Sequence, residues 1–424
     1  MSTTGVSIDL VRELRAICGE DHVVEPAPRA NQNVDNEIAV APGSADEVAA
    51  VLRLANQRRF TIVPVGGCSQ AGADSRANVL LHTDRLIEVE HYDPADLTVG
   101  IGAGMTVAQL NALVAGGKLM FGCDPAFPEL STVGGVLAAA KHGPLRQGFG
   151  GMRDFCIGIR FVTGDGRKAK GGGRVVKNVA GYDLMKLLIG SCGTLAVITS
   201  ASFKLFPAPR QTRTFLTEFA TWQEALKFRD LVVRSPLAPM CLEIVSPRAR
   251  KMMRPEMTND AWVICVRAAG SDVVLARYRK ELGSAVTAEL DSEEEIAMWR
   301  ALADFPVTEK MKQESRWPSP YKTSLHLSLF APPAELGSVL QVLEDASDPA
   351  VAKAAYIGRC GIGHLLIHFE NVDSGPDEFM QAKACRQRVS AQVQFVDDWQ
   401  DLRELPSMRA VKHALDPNNV LRGR

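Results

Sequence analysis

The residues best suited to bind a ligand are the glycines of a short bend, Gly66, Gly67 and Gly72, which follows a β-branched stretch, Thr61–Val65. A bend that directly follows a strand offers several backbone N–H groups without obstructing side chains, and such groups form a concave site for an anion. Ser69 adds a hydroxyl donor. The pattern indicates a phosphate site, and a glycine-rich turn without chemical function is the alternative.

A second bend, Ser131–Gly135, leads into a stretch rich in small residues that predicts a helix. The first amides of a helix have no acceptor within the helix, and the positive end of the helix dipole attracts phosphate. We therefore expect free amides of Gly134 and Gly135 to face an anion, with tight packing of the small-residue helix as the alternative. Two such bends in one region favour a dinucleotide over a single phosphate.

Two common nucleotide motifs are not supported. The stretch Gly164-x-Gly166-x-x-Ala169 is close to the nicotinamide fingerprint, but more glycines follow it instead of a helix. We interpret Gly164–Gly166 as the turn of a β-hairpin that joins Phe155–Thr163 to Arg167–Gly172. A loop of the G-x-x-x-x-G-K-[ST] type is missing from the sequence, so a P-loop nucleotidase is not predicted.

Composition restricts the possible partners. Hydrophobic residues make up 46% of the 424 residues and charged residues 23%, which excludes global disorder and leaves room for two or three domains. The sequence has 48 basic and 49 acidic residues, so no overall positive field exists to hold nucleic acid or an anionic membrane. No apolar run has the length of a membrane span, so we expect membrane contact to be peripheral or through a partner.

The nine cysteines include no C-x-x-C pair, a usual spacing for iron–sulfur or zinc ligands. We interpret them as mostly buried, reduced thiols. Their odd number, their scattered spacing and the lack of an apolar leader after Met1 indicate a reducing compartment. We expect a cytoplasmic location, with peripheral attachment at the inner face of the plasma membrane as the alternative.

Residue periodicity predicts an α+β chain. Capping boxes, in which a Ser or Thr precedes a Glu or Gln by three residues, predict four helix starts. They are Ser44 with Glu47, Thr106 with Gln109, Thr221 with Glu224, and Ser292 with Glu295. Beyond residue 210 glycine becomes sparse, and strands alternate with longer amphipathic helices. The predicted division is an N-terminal helix with its lead-in (1–33), a first domain (34–210), a second domain (211–407) and a C-terminal tail (408–424).

Five stretches resemble, in order and spacing, the FAD-binding domain of the vanillyl-alcohol oxidase superfamily, the PCMH-type domain. They are Pro64–Ser69, Asp124–Gly135, Arg153–Phe155, Lys177–Leu184 and Gly193–Thr199. The fourth stretch and the closing Leu415–Asn419 resemble in particular the FAD-binding small subunit family of bacterial glycolate oxidases. The similarity is specific from about residue 34 to residue 209 and looser afterwards.

The resemblance implies an α+β fold in which a two-subdomain PCMH-type FAD-binding domain is followed by an α+β domain with a helix-covered sheet. It implies that the two bends hold the pyrophosphate of FAD, that the backbone of Val197 and Ile198 contacts the adenine, and that Arg153-Asp154 helps to close the site. Some relatives tether the flavin to a His where this chain has Cys68, so we expect non-covalent FAD. The expected cofactor-binding residues are Pro64, Val65, Gly66, Gly67, Cys68, Ser69, Gln70, Thr132, Gly134, Gly135, His142, Arg153, Val197 and Ile198.

The resemblance also implies an activity. It implies an FAD-binding subunit of a glycolate (2-hydroxy-acid) oxidase or dehydrogenase, in which electrons pass on through a larger FAD-binding subunit and an iron–sulfur subunit. The lack of C-x-x-C pairs agrees with electrons leaving through another chain. A free-standing FAD-dependent dehydrogenase for D-lactate or a similar acid, and a non-catalytic flavin-binding scaffold, are the alternatives.

Relatives that oxidise hydroxy acids directly often carry a His-rich metal cluster in the carboxy-terminal domain. The comparable stretch of this chain offers His326, His364 and His368. His364 and His368 would share one face of a strand, but no Glu stands at matching spacing. We therefore interpret these residues as ordinary sheet histidines and predict no metal site. The sequence assigns no catalytic residue.

Overall fold

The computed structural model describes residues 8–24, 38–67, 78–173, 183–254, 256, 259–305, 324–345, 354–370, 394–395 and 406–422. The chain divides into two compact units. Unit 1 comprises Met1–His142, Gly150–Ala208 and Arg403–Arg424, and unit 2 comprises Gly143–Phe149 and Pro209–Leu402. The end of the chain therefore groups with the amino-terminal unit. The finer division expected from the sequence stays a prediction.

Strands and helices are numbered along the described residues. The strands are β1 (Val23–Val24), β2 (Ile38–Val40), β3 (Ile62–Val65), β4 (Val79–His82), β5 (Val89–Asp93), β6 (Thr98–Gly102), β7 (Leu119–Met120), β8 (Cys156–Thr163), β9 (Lys168–Gly172), β10 (Ala196–Lys204), β11 (Phe206–Pro207), β12 (Thr212–Phe219), β13 (Cys241–Val245), β14 (Trp262–Ala269), β15 (Ala288–Leu290), β16 (Ser324–Phe330), β17 (Ala355–Arg359), β18 (His364–Glu370) and β19 (Gln394–Phe395). The helices are α1 (Ile8–Cys18), α2 (Ala45–Arg58), α3 (Val107–Ala115), α4 (Val133–Ala138), α5 (Arg146–Phe149), α6 (Met152–Phe155), α7 (Leu184–Leu188), α8 (Trp222–Arg234), α9 (Pro247–Met253), α10 (Asp272–Leu282), α11 (Ser292–Asp304), α12 (Leu336–Glu344) and α13 (Pro406–Leu415).

The described part of unit 1 contains two larger sheets, each with its own core, and the short antiparallel pair β7–β11. The first sheet has the order β1-β2-β4-β3, and β4 lies parallel between β2 and β3. Helix α2 connects β2 to β3, begins at the predicted cap Ser44, and buries one apolar face that includes Val48 and Leu52. The second sheet has the order β5-β6-β10-β8-β9. Its core includes Phe121, which packs edge-on against two other phenylalanine rings. The expected two-subdomain α+β architecture is confirmed.

Unit 2 is built on one sheet with the order β15-β12-β14-β13-β17-β18-β16-β19, in which neighbouring strands are antiparallel. Helices α8 and α10 pack on β12 and β14, and α11 packs on β12, so the predicted helix-covered sheet is confirmed. The residue pattern predicts one strand over Tyr356–Phe369, and this prediction is wrong, because the stretch is the hairpin β17–β18, whose turn includes Gly363 with a φ of 71°. The pattern also predicts a helix over Glu378–Ser390, which lies outside the described residues.

The capping box predicted at Ser292 and Glu295 is wrong, although α11 does begin at Ser292. Its N-cap residue is Asp291. The Glu295 side chain is 1% exposed and accepts hydrogen bonds from both Thr212 and Thr214 on β12, the second at 2.9 Å. Arg267 Nε on β14 donates to the same carboxylate at 3.1 Å. The carboxylate therefore fixes α11 to the sheet instead of closing the first helical turn.

We expect Glu295→Gln to lower the free energy of unfolding of unit 2 by about 2 kcal/mol, because a charged acceptor of three buried hydrogen bonds becomes a neutral amide. Urea unfolding followed by circular dichroism measures this change. Glu294→Gln is the matched control, since Glu294 is exposed on the same helix. We expect the control to change stability by less than about 0.5 kcal/mol. Equal effects of the two substitutions would contradict the role of Glu295.

The described cysteines agree with the sequence interpretation. Cys18, Cys123, Cys156, Cys241, Cys265 and Cys360 are buried thiols, and Cys192 is half-buried. Burial raises the pKa of the Cys156 thiol to about 12, so this thiol stays protonated at neutral pH. Within the parts of the chain that the structure describes, no helix combines the length and the apolar character needed to cross a bilayer.

Candidate functional site

The first glycine bend lies directly against the second. Strand β3 ends at Val65, and Gly66 and Gly67 follow. A Cβ atom added to Gly67 would stand 1.5 Å from the carbonyl oxygen of Leu130, and one added to Gly66 would stand 2.1 Å from Thr132 Oγ1. Only glycine permits these approaches. The two bends predicted to act together therefore converge within unit 1. The predicted binding residues Cys68, Ser69 and Gln70 lie outside the described residues.

The second bend forms the start of α4, as predicted. Thr132 is the N-cap residue, and its hydroxyl accepts a hydrogen bond from the Gly135 amide at 3.3 Å. The amide of Gly134 donates to Ala103 O at 2.8 Å, so the expectation that the amides of Gly134 and Gly135 are free is wrong. The end of β6 supplies the acceptor for Gly134, and a Cβ at Gly134 would stand 2.8 Å from the Ala103 Cβ. Tight packing, the alternative interpretation, accounts for Gly134.

Gly135 differs from Gly134 in its surroundings. Apart from its chain neighbours and the backbone of its own helix, Thr132 Oγ1 at 3.0 Å is the one described atom within 4 Å of a Cβ built on Gly135. This side of α4 therefore leaves space next to the N-terminal end of the helix, where the dipole is positive. The prediction that Gly135 lies against the cofactor diphosphate is compatible with this geometry and stays a prediction.

A third backbone segment, Gly190–Gly193, lies against the end of α4 and against Pro64 of β3. The amide of Gly190 donates to Leu137 O at 3.0 Å and that of Cys192 donates to Ala138 O at 2.8 Å, so the segment caps the C-terminal end of α4. Gly193 has a φ of 74°, and a Cβ there would be 3.4 Å from the Pro64 ring. No local sequence pattern marks Ser191, which lies in this segment. Its side chain is 5% exposed, and its Oγ has no hydrogen-bond partner among the described residues.

Val197 and Ile198, the residues expected to contact adenine, are buried on β10. Strand β8 pairs with β10 from Ala196 onward, whereas β6 pairs with it only from Ser200 onward. The ladder to β8 is irregular between Ile198 and Ser200. One backbone edge of residues 196–198 therefore has no strand neighbour in the described part of the chain. An open backbone edge with N–H and C=O groups can pair with the edge of a base.

Of the remaining predicted residues, Arg153 contacts the C-terminal end of α7. Arg153 is exposed, and its Nη2 donates to Ile189 O at 3.1 Å. Asp183 caps the N-terminal end of α7, where its carboxylate accepts the Lys186 amide. Burial alone would raise the pKa of Asp183, but hydrogen bonds from Lys186 and the charges of Lys186 and Arg153 hold it below its usual value. His142 is half-buried, and residues 174–182, which include most of the Lys177–Leu184 motif, lie outside the described residues.

Unit 2 contains a buried polar array around His364. Arg359 Nη1 lies 2.6 Å from His364 Nδ1, and Ser328 Oγ lies 2.7 Å from His364 Nε2. Arginine has no acceptor, so Nδ1 must accept and Nε2 carries the proton that is donated to Ser328. Arg359 also lies 3.7 Å from the buried Glu243 carboxylate. Phe330 stacks on the His364 ring at 4.2 Å.

This array differs from a metal site. His368 is buried and packs edge-on against Phe305, and His326 is paired with His368 in the register of β16 and β18. Over the residues that the structure describes, no group of three His, Cys, Asp or Glu side chains is arranged to hold a metal ion. The guanidinium next to His364 places a positive charge where a cation would otherwise approach. His326, His364 and His368 lie on β16 and β18, and the expectation of no metal site stays a prediction.

Comparison with known proteins shows one matching domain family and several relatives of similar sequence. The FAD binding domain family matches residues 37–170. The chain is 35% identical over 241 residues to a D-lactate dehydrogenase of Archaeoglobus fulgidus, a match that covers 56% of this chain and 53% of that protein. It is 33% identical over 189 residues to the glycolate oxidase subunit GlcE of Escherichia coli, covering 42% and 51%. The matches therefore span about half the length of each of these relatives.

A solved structure of p-cresol methylhydroxylase with substrate bound shares the fold, with a TM-score of 0.70 at 17% sequence identity over 97% of this chain and 94% of that chain. The residues present fit an FAD diphosphate. Gly66 and Gly67 bring the two bends into backbone contact with no side chain between them, and the buried Ser191 Oγ offers a hydroxyl donor in the same unit. Residues 37–170 therefore form an FAD-binding domain of the PCMH type, with FAD as its cofactor.

Proposed function

We propose that this chain is the FAD-binding subunit of a 2-hydroxy-acid oxidoreductase that converts glycolate to glyoxylate. The observation that carries the proposal is the convergence of the glycine bend at Gly66–Gly67 on Leu130 and Thr132, inside the domain that matches the FAD binding family. Similarity to a glycolate oxidase subunit supports the choice of substrate. FAD, when bound, supplies the acceptor for the hydride that leaves the substrate carbon.

The chain's own residues have separate tasks in this proposal. The Gly66–Gly67 bend, the open side of α4 at Gly135 and Ser191 hold the diphosphate, and the open backbone edge of residues 196–198 holds the adenine. In unit 2, both ring nitrogens of His364 are engaged, one by Arg359 and the other by Ser328. His364 therefore has no lone pair available to accept the hydroxyl proton of a substrate in this arrangement. A base outside the array must accept that proton, which agrees with a chain that works with other subunits.

The partners in this proposal are a larger FAD-binding subunit and an iron–sulfur subunit. The sequence has no C-x-x-C pair, so the proposal assigns onward electron transfer to a different chain. Purification of the tagged chain from native extract, at natural expression level, tests the assembly. We expect a second flavoprotein and an iron–sulfur protein to co-purify from the cytoplasm or from peripheral membrane washes. An isolated monomer that oxidises glycolate at the full rate of the extract would contradict the assembly.

The visible spectrum of the purified chain tests the substrate and the state of the cofactor. We expect flavin absorption in the isolated chain and, after anaerobic addition of glycolate to the assembled complex, loss of that absorption. Acid precipitation should release the yellow colour into the supernatant, because Cys68 stands where some relatives carry the tethering His. Yellow colour in the pellet would contradict non-covalent binding. A chain that stays colourless after FAD is added would support a scaffold without flavin.

A second candidate is a free-standing D-lactate-type dehydrogenase. Similarity to the Archaeoglobus fulgidus D-lactate dehydrogenase over 241 residues favours it. This candidate requires that the isolated chain lose its flavin absorption with D-lactate, without any partner present. The same anaerobic titration with glycolate and D-lactate, performed on the isolated chain, separates the two candidates.

A further inference from the structure

The described end of the chain is built into unit 1. We call the side chains of Lys412 and Asp416, together with the backbone of Leu415 and of residues 420–422, the C-terminal clamp. Helix α13 ends at Leu415, and the chain turns at Asp416-Pro417, because proline cannot continue the helix. The contacts of the clamp with β3 and with the start of β10 are long-range and have no local sequence signal.

Asp416 is the buried acceptor that holds the turn of the C-terminal clamp together. Its side chain is 1% exposed. Its carboxylate accepts the amides of Val420 at 2.9 Å and Leu421 at 2.8 Å, and it pairs with the Lys412 ammonium. A buried carboxylate with several donors has little freedom to move. The turn over residues 416–421 is therefore held in one conformation.

The first outward contact of the clamp is with β3. Ile62 N donates to Val420 O at 2.9 Å, and Arg422 N donates to Ile62 O at 2.8 Å. These bonds add the tail to the edge of the first sheet, because β3 is its last strand. Strand β3 leads directly into Gly66 and Gly67. The tail therefore helps to fix the strand that carries the first glycine bend.

The second outward contact is with the segment that leads into β10. Lys412 Nζ donates to Thr194 O at 2.6 Å and to Leu421 O at 2.9 Å. Thr194 follows Gly193, which packs against Pro64, and precedes the β10 residues 196–198. One ammonium group thus connects the tail on β3 with the backbone that begins the open edge of β10.

A third contact is with the β8–β9 hairpin. Gly164 N donates to Leu415 O at 2.7 Å, and a Cβ on Gly164 would stand 2.1 Å from Asp416 Oδ1. Asn56 on α2 donates to Gly164 O at 2.7 Å and accepts a hydrogen bond from Asn418 at 2.7 Å. The clamp thus contacts elements of both sheets of unit 1.

We propose that the C-terminal clamp positions the FAD-binding backbone, with Lys412 and Asp416 as positioning residues. It holds β3 with its glycine bend and the start of β10 at a fixed separation, so that the diphosphate and the adenine of one FAD molecule can be bound together. The inference rests on FAD binding by unit 1 and is independent of the substrate. An FAD-binding domain cut at residue 208 would lack this restraint.

The test measures the Kd for FAD of the full-length apoprotein, by flavin fluorescence and without substrate. We expect Lys412→Met, which keeps the aliphatic stem and removes the three hydrogen bonds of the ammonium, to raise the Kd about tenfold or more. Asp416→Asn should have a similar effect. Lys412→Arg keeps a cation that reaches the same carbonyl groups and should restore the Kd to within about threefold of the parent. Circular dichroism confirms that each variant is folded at the temperature of the titration.

Two controls separate positioning from general destabilisation. His413→Ala changes an exposed residue on the same helix, and Glu295→Gln weakens unit 2, so both should leave the Kd for FAD unchanged. If Lys412→Met does not fold, Lys412→Gln is tested instead. The glutamine amide still donates to one of the acceptors, so this variant should weaken FAD binding by a smaller factor than Lys412→Met. An unchanged Kd in folded Lys412→Met or Lys412→Gln, even with a lower melting temperature, overturns the proposal. The Kd for FAD is measured without substrate, so the test of the clamp remains valid even if the protein does not oxidise glycolate.

Discussion

We expect Gly67→Ala to abolish retention of FAD during purification and to raise the Kd for FAD at least about 100-fold, equivalent to about 2.8 kcal/mol. The added Cβ would stand 1.5 Å from the carbonyl oxygen of Leu130, so the two bends must move apart. Backbone atoms cannot rotate away as a side chain can, and the displacement alters the surface that receives the diphosphate. We also expect the free energy of unfolding to fall by roughly 3 kcal/mol. Flavin absorption at equal protein concentration and urea unfolding measure the two effects.

Gly116→Ala is the matched control for this substitution. Gly116 ends α3 in unit 1 with a φ of −59°, and a Cβ there would meet no described atom within 4 Å. Gly66→Ala should have an intermediate effect, because its Cβ would meet the Thr132 hydroxyl, which belongs to a side chain. Full FAD retention by Gly67→Ala would show that the bends do not converge as the structure has them.

The sequence predicts local features of the fold well. The capping boxes at Thr106 and Thr221 form as expected, because both partners of each box lie within one helical turn. The box expected at Ser292 fails although its spacing is the same. Glu295 finds better partners in Thr212, Thr214 and Arg267, which are up to 83 residues away in sequence. Spacing alone cannot show such a competition between a local cap and a distant strand.

In the candidate site, too, the sequence predicts local features but not the hydrogen-bond partners that come from distant parts of the chain. The glycine spacing predicted that two bends act together, and the contacts of Gly66 and Gly67 with the second bend agree with that interpretation. The occupied amide of Gly134 could not be predicted, because its acceptor lies on Ala103 at the end of a different strand. The contacts of the C-terminal clamp could not be predicted either, because they join residues far apart in sequence. Lys412 and Thr194 are separated by 218 residues. Residue type indicates what a bend can bind, and tertiary contacts decide which of its donors are available.

We expect Gly135→Asp to lose FAD without losing stability, which separates it from Gly67→Ala. Position 135 is the third residue of α4, where a carboxylate is favourable for the helix because the dipole end is positive. A carboxylate beside the FAD diphosphate is repelled instead, and we expect the Kd for FAD to rise about 100-fold or more. Raised salt should reduce the repulsion in part. Fluorescence titration of FAD at two salt concentrations, together with urea unfolding, measures both effects.

Gly135→Ala and Gly135→Asn are the controls that isolate charge from size. All three substitutions place a Cβ at the same 3.0 Å from Thr132 Oγ1, and Asn has the shape of Asp without its charge. If the diphosphate lies at this bend, the Kd should rise least for Ala, more for Asn and most for Asp, and only the Asp variant should respond to salt. Equal losses for Asn and Asp would indicate a steric effect at the helix. Full yellow colour in the Asp variant would mean that the diphosphate lies elsewhere, since a charge placed against it cannot leave its affinity unchanged.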